Sequence, residues 1–309
     1  MKNLSDVTIL LTGGTGFIGK PLCQALVQQG ARVVVVSRRP QNQPQSAVTY
    51  LGSLSDLKGT QPDVIINLAG EPIAQRWSSA VKEKIRNSRF DATSALIAYM
   101  KSCTKKPQLF ISGSAIGYYG TDEDAAFDET STPSTSGGRF SRELCAVWEA
   151  EAFKANKLGV RTVLLRIGAV LAKDGGMLGK LAMPFRLGLG GPIGHGRQWL
   201  SWIDRDDLIN LILYTIRNTS IEGPINATSP NPLSNADFSK TLSTTFHKPC
   251  LVRTPAFALR LAFGDMADEI MLEGQKVLPR KAMEKGFVFS YPTLAESLRK
   301  IFTVEKNNQ

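Results

Sequence analysis

Histidine is nearly absent from this chain and cysteine is scarce, two and four among 309 residues. The cysteines, Cys23, Cys103, Cys145 and Cys250, lie far apart with no C-x-x-C, and only His195 and His247 could join them around a metal. A disulfide framework and a zinc site are therefore excluded, and reduced thiols with no bound metal are expected. Long apolar runs are missing as well. No segment reaches the roughly 18 residues needed to span a bilayer, and the first strand pattern begins within a few residues of Met1. No membrane association and a cytoplasmic address follow as expectations. Internal repeats are absent, and the one biased tract is the Ser/Thr/Gly-rich loop at 131–138.

Acidic residues are in deficit, 27 Asp and Glu against 37 Lys and Arg, for a formal net charge of +10. Such an excess invites a nucleic-acid partner, but its distribution argues against one. The cations are spread along the chain, with only short clusters such as Lys105-Lys106 and Arg280-Lys281 and no recognition motif. No specific nucleic-acid binding is expected, whereas a basic cleft suits an anionic cofactor.

What is present begins with Thr12-Gly13-Gly14-Thr15-Gly16-Phe17-Ile18-Gly19, directly after the apolar run Val7-Thr8-Ile9-Leu10-Leu11. Gly14, Gly16 and Gly19 have the G-x-G-x-x-G spacing: the first for a tight turn, the second for close approach of a pyrophosphate, the third for helix–strand packing. The following helix N-terminus offers free N–H groups to the phosphates. Ala31-Arg32-Val33-Val34-Val35-Val36 reads as a parallel strand covered on both faces. It runs into Ser37-Arg38-Arg39, where an NAD site would carry an acid for the ribose 2′-hydroxyl. Guanidiniums match a 2′-phosphate instead, so NADP(H) is preferred over NAD(H).

Strands and helices alternate through the first half, with strands expected at 62–70, 107–114 and 160–167 and a helix at 78–103. The fold class is α/β, a Rossmann-type doubly wound parallel sheet with a small mixed C-terminal substrate lobe. We place an NADP(H)-binding domain at 1–232, with a lid-like insertion near 174–200, and the substrate-side domain at 233–309. In the later half, five glycines at 188–196 precede Arg197-Gln198-Trp199-Leu200-Ser201-Trp202. This suits a cleft wall, with Arg186, His195, Arg197 and Trp199 as substrate-side candidates; packing between lobes is the competing reading. Asp204, Asp206 and Asp207 are read as a helix cap.

These residues resemble the extended short-chain dehydrogenase/reductase superfamily. Asn67-Leu68-Ala69-Gly70-Glu71, Gly117-Tyr118-Tyr119-Gly120, Pro184-Phe185-Arg186-Leu187-Gly188, Gly223-Pro224-Ile225-Asn226-Ala227 and Gly274-Gln275-Lys276-Val277-Leu278-Pro279 look like its atypical "epimerase family protein" group, which has a C-terminal domain of unknown function. The resemblance implies cofactor contacts from the glycine turn (Gly13, Thr15, Gly16, Phe17, Ile18), Ser37, Arg38, Leu68, Ala69 and Gly70. Arg89, Ser112 and Arg166 are further cofactor candidates. Superfamily members use a serine on the fifth strand and a Tyr-x-x-x-Lys on the next helix, and here the pattern breaks. Ser112 and Ser114 offer the hydroxyl, but the helix reads Arg139-Phe140-Ser141-Arg142-Glu143-Leu144-Cys145. Depending on register, Phe140 and Leu144 or Ser141 and Cys145 replace the pair. Neither supplies the same acid–base chemistry. Ser114, Tyr118 and Tyr119 are the catalytic candidates, and Cys145 is read as an inert small hydrophobe. Two function classes remain: an NADP(H)-dependent oxidoreductase or epimerase acting on a small molecule, and a non-catalytic NADP(H)-binding sensor or scaffold. A homodimer is compatible with either.

Overall fold

The β-branched and aliphatic runs become strands in a computed structural model that describes residues 4–38, 47–57 and 59–303. The chain opens with β1 (Thr8–Thr12), α1 (Gly19–Gln28), β2 (Arg32–Val36), β3 (Val48–Leu51), β4 (Val64–Asn67), α2 (Ser79–Ser102) and β5 (Leu109–Ala115). It continues through β6 (Asp122–Phe127), α3 (Arg139–Phe153), β7 (Arg161–Ile167), β8 (Ala169–Ala172), α4 (Gly176–Arg186), β9 (Trp199–Leu200), β10 (Trp202–Asp204) and α5 (Arg205–Arg217). Then come β11 (Gly223–Ala227), β12 (Leu233–Ser234), α6 (Asn235–Thr245), α7 (Ala256–Phe263), β13 (Gln275–Val277), α8 (Arg280–Glu284) and α9 (Leu294–Thr303).

Seven strands form one parallel sheet in the order β11-β7-β5-β4-β1-β2-β3. Period-two alternation divides their side chains between two cores. Ile9, Leu11, Val33, Val35, Val64 and Ile66 face α1 and α5, while Leu10, Val34, Ile65, Phe110 and Leu164 face α2. Apolar layers on both faces explain why these strands read as unbroken hydrophobic runs. The strand order reverses between β1 and β4, and the cleft at their carboxyl ends is where this architecture places its ligands.

Polar side chains cap two of the helices that frame the sheet, the second of them as expected. Ser78 accepts from the Val81 N–H ahead of α2, and Asp204 accepts from the Asp206 N–H ahead of α5. Asp204 also takes bonds from Ser297 and Lys300 of α9, so one buried carboxylate both caps α5 and anchors the last helix.

A third core joins Leu171, Leu178, Phe185 and Trp202 to Phe238, Leu242, Leu294 and Leu298. The lid-like stretch at 174–200 and the residues after 233 are thus packed on one another. Three small two-stranded pairings, β10 with β8, β12 with β9 and β13 with β6, stitch this half together. Among the described residues, no helix is long and apolar enough to cross a membrane.

Candidate cofactor cleft and active site

The glycine turn divides its labour differently from the simple spacing argument. Gly13, not Gly14, takes the left-handed conformation, at φ +75°, and a Cβ there would stand 2.5 Å from the Leu68 carbonyl oxygen. Gly14 is required for packing, since its Cβ would strike the Val35 methyls at 2.7 Å. A Cβ on Gly19 would collide with the Gly13 backbone, which fixes how closely α1 sits on the turn. Gly16 is exposed, and a Cβ on it would approach only the Gly13 carbonyl oxygen, at 3.2 Å. No side chain caps α1, whose N-cap is Ile18, so the backbone N–H groups there have no side-chain competitor for an anion. Thr15 is exposed on the turn, and Ile18 packs on the first core. The Phe17 ring lies against Gly175 and Gly176 at the start of α4 and under the Arg205 guanidinium, 5.0 Å away.

Ser37, half-buried, is fixed at the end of β2 by its N–H bond to the Leu51 oxygen, and Arg38 beside it is exposed. Arg39 lies outside the described residues. The sequence has no carboxylate between Asp6 and Asp56, so the end of β2 carries no acid of its own where one would meet a ribose 2′-hydroxyl.

At the end of β4 the polar groups form a relay. Thr12 Oγ1 donates to Asn67 Oδ1 (2.6 Å), and Asn67 Nδ2 donates to Thr93 Oγ1 (2.9 Å). Thr93 Oγ1 also accepts from Trp148 Nε1 and donates to the Arg89 oxygen. Asn67 Oδ1 takes the Ala69 N–H as well, so the loop carrying Leu68, Ala69 and Gly70 is held by satisfied buried groups. Arg89 reaches this loop from α2, its Nη1 donating to the Glu71 and Ile85 oxygens.

The end of β5 holds a buried network. Arg166 makes two 2.8 Å bonds to Glu149 through Nε and Nη2, and its Nη1 donates to the Tyr119 hydroxyl (2.9 Å). Tyr119 donates onward to Asn226 Oδ1, and Ser114 donates to Glu149 Oε1 at 2.6 Å. Although burial opposes its charge, the Glu149 pairing raises the Arg166 pKa above its ordinary value. Burial pushes the Tyr119 phenol up to about 12 despite the nearby guanidinium.

Several expected roles therefore meet a structural obstacle. Tyr119 is wholly buried, the single hydroxyl proton of Ser114 is committed to a carboxylate, and Arg166 turns its guanidinium onto Glu149 rather than outward. Ser112 is buried too and donates to the Gly113 oxygen. Tyr118 differs: it is half-buried, and its hydroxyl has no hydrogen-bond partner among the described residues. Its ring stacks on Arg166, with the guanidinium carbon 3.5 Å from the ring centre.

Packing settles the register of α3. Phe140 and Leu144 enter an apolar cluster with Trp77, Ile85 and Met266. Ser141 and Cys145 face Gly117, so this second pair stands where the Tyr-x-x-x-Lys is expected. Ser141 donates to Glu269 Oε2 (2.9 Å), and the same carboxylate caps the Phe140 and Ser141 N–H groups. Burial and the Glu149 charge push the Cys145 thiol up to about 12, which suits an inert thiol.

The substrate-side candidates separate into two places. His195 Nε2 and Arg197 Nε lie 3.3 and 3.7 Å from the Glu123 carboxylate, and Trp199 Nε1 donates to the Glu123 backbone carbonyl oxygen. Arg186 instead lies over the Phe246 and Phe302 rings. Sequence reasoning missed Glu149, Asn226, Glu269 and Glu123. Glu149 had a signal, a carboxylate on the stripe that buries Ser141, Cys145 and Trp148, which calls for a buried cation. Among the described residues, no group of three His, Cys, Asp or Glu side chains could hold a metal ion.

Comparison with known proteins places this geometry among relatives. The NAD dependent epimerase/dehydratase family matches residues 9–227, and a domain of unknown function, DUF1731, matches residues 254–301. The Arabidopsis thaliana protein named "Epimerase family protein SDR39U1 homolog, chloroplastic" is 40% identical over 96% of this chain and 87% of its own length. "Epimerase family protein YfhF" of Bacillus subtilis is 37% identical over 97% of this chain and 99% of its own. Among solved structures, the human epimerase family protein SDR39U1 (isoform2) with NADPH superposes with a TM-score of 0.85 at 32% identity, covering 96% of this chain and 99% of that one.

Proposed function

The chain belongs to the NAD dependent epimerase/dehydratase family, and we propose that it is an NADP(H)-dependent oxidoreductase or epimerase acting on a small carbonyl or sugar-nucleotide-like compound. The observation that carries the cofactor choice is the end of β2, where exposed Arg38 stands with no carboxylate between Asp6 and Asp56. A 2′-phosphate finds a planar cationic partner there and no repulsion. The glycine turn fits the rest of the group: Gly16 is open, and the uncapped start of α1 offers backbone donors for a pyrophosphate. The NADPH in the human relative's structure supports the same choice. When bound, the cofactor supplies or accepts a hydride at its nicotinamide ring.

Tyr118 is the proton-transfer group in this reading, because its phenol is the one at the β5 end that is neither sealed in nor bonded to another described residue. Arg166, stacked on its ring and clamped by Glu149, fixes its orientation. The second reading, a non-catalytic NADP(H) sensor or scaffold, is favoured by one observation, the replacement of the Tyr-x-x-x-Lys pair by Ser141 and a buried Cys145.

Calorimetric titration tests the cofactor choice. NADPH is expected to bind more tightly than NADH, and Arg38→Ala to weaken NADPH by about 1.5 to 3 kcal/mol, as for a charge-assisted hydrogen bond, while sparing NADH. Equal losses for the two cofactors would remove the argument.

A further inference from the structure

We propose that Arg89 holds the nicotinamide half of the cofactor, supplying from α2 the cation that α3 lacks. The inference rests on the NADP(H) reading above and extends it to the other end of the dinucleotide. A guanidinium at this place is permitted by Gly70: a Cβ there would stand 3.0 Å from the Arg89 guanidinium carbon and 3.2 Å from Nη1. Nη1 is fixed by the Glu71 and Ile85 oxygens, and the Trp148 ring lies 5.2 Å from the guanidinium carbon. The group is therefore rigid, yet its Nε and Nη2 have no hydrogen-bond partner, and no carboxylate lies within ion-pair distance, among the described residues. Burial draws its pKa below the ordinary value, although the Glu71 carboxylate acts the other way.

Arg89 is half-buried, and its Nε and Nη2 are not among the fully buried unsatisfied atoms, so these donors stay open to an acceptor on a ligand while Nη1 holds the group in place. Topology says which part of a ligand reaches it. With the pyrophosphate at the turn after β1 and the 2′-phosphate at the end of β2, the remaining half of a dinucleotide runs the other way, toward β4 and β5. Ribose hydroxyls and a carboxamide oxygen are acceptors suited to the unengaged N–H groups. Nothing on the facing helix competes for them: Ser141 is bonded to Glu269, and Cys145 is a buried thiol.

The test compares NADPH with adenosine 2′,5′-bisphosphate, which has the adenosine half and no nicotinamide. Titration calorimetry of Arg89→Met is expected to show about 10- to 100-fold weaker NADPH binding, with the bisphosphate changed less than about twofold. Arg89→Lys, which keeps the charge but loses the planar fork, is expected to show a smaller loss confined to NADPH. Fluorescence of the bound dihydronicotinamide gives an independent readout, and its enhancement should fall in Arg89→Met even at saturating NADPH. Equal losses for both ligands, or no loss for either, would overturn the assignment. If Arg89→Met does not fold, the selectivity of Arg89→Lys decides in the same way. Wild-type protein that binds neither ligand would overturn the NADP(H) reading itself, whereas wild type that binds both isolates the failure to Arg89.

Discussion

Gly16→Val is expected to abolish NADPH binding while leaving a folded chain. The first carbon of a side chain at Gly16 meets only the Gly13 carbonyl oxygen, at 3.2 Å, a contact relieved by a shift of a few tenths of an ångström. Gly16 is not among the positive-φ glycines, so valine is not asked to adopt a left-handed backbone. Its two methyls would instead fill the open side of the turn, where the pyrophosphate must approach the backbone, and their stiff χ1 leaves little room to swing aside. Gly13→Val and Gly19→Val serve as contrasts. There the added carbon meets backbone, and Gly13 also needs its φ of +75°, so loss of the fold itself is expected. The measurement is circular dichroism with thermal shift, with and without NADPH. A ligand at about 100 times its Kd stabilises the folded state by about 2.7 kcal/mol, a shift that wild type should show and Gly16→Val should not. Retained stabilisation in the variant would mean that the turn is purely structural.

Local signals are legible in the sequence and long-range ones are not. β1, its turn, α1 and β2 can be read because each depends on neighbours in sequence: a continuous apolar run, glycines at fixed offsets, a second β-branched run. The cap at Asp204 is readable for the same reason. The register of α3 is not. Phe140 with Leu144 and Ser141 with Cys145 satisfy the same helical period, and the choice is made by Trp77 and Met266, which come from distant segments. Ser114 looks available at its strand end because nothing local shows that Glu149 and Arg166 converge on it across the α3–β7 connection. The misassigned glycine has a related cause. Spacing says that a turn is present, but which glycine takes φ > 0 depends on how closely the Leu68 backbone approaches. The short pairings of β6 with β13 and β9 with β12 carry too few residues for an alternation signal.

Tyr118→Phe, once a turnover substrate is in hand, is expected to lower kcat by about 100- to 10,000-fold, the usual range for removing a general acid–base group and equivalent to about 2.7 to 5.5 kcal/mol of barrier. NADPH affinity should be unchanged, because the hydroxyl contributes only at the reacting oxygen, where it gives a proton in one direction and takes it back in the other. Two companion variants separate chemistry from structure. Tyr119→Phe removes a buried hydroxyl that donates to Asn226 and accepts from Arg166, so its effect should be on stability, about 1 to 3 kcal/mol, and small on kcat. With its phenol pushed up to about 12 by burial, Tyr119 is a poor proton donor near neutral pH. Ser114→Ala removes one of three bonds to the Glu149 carboxylate, leaving both of its oxygens held by Arg166, and should likewise disturb folding more than turnover. Steady-state kinetics on all three, beside an NADPH titration of each, distinguish the roles. Full activity in Tyr118→Phe would sink the mechanism, and loss in Ser114→Ala alone would assign the serine to polarising the substrate oxygen and require its bond to Glu149 to break during turnover. If no carbonyl or sugar-nucleotide compound drives oxidation or reduction of bound cofactor in wild type, the same phenol becomes a packing element on Arg166, and the sensor or scaffold reading takes precedence.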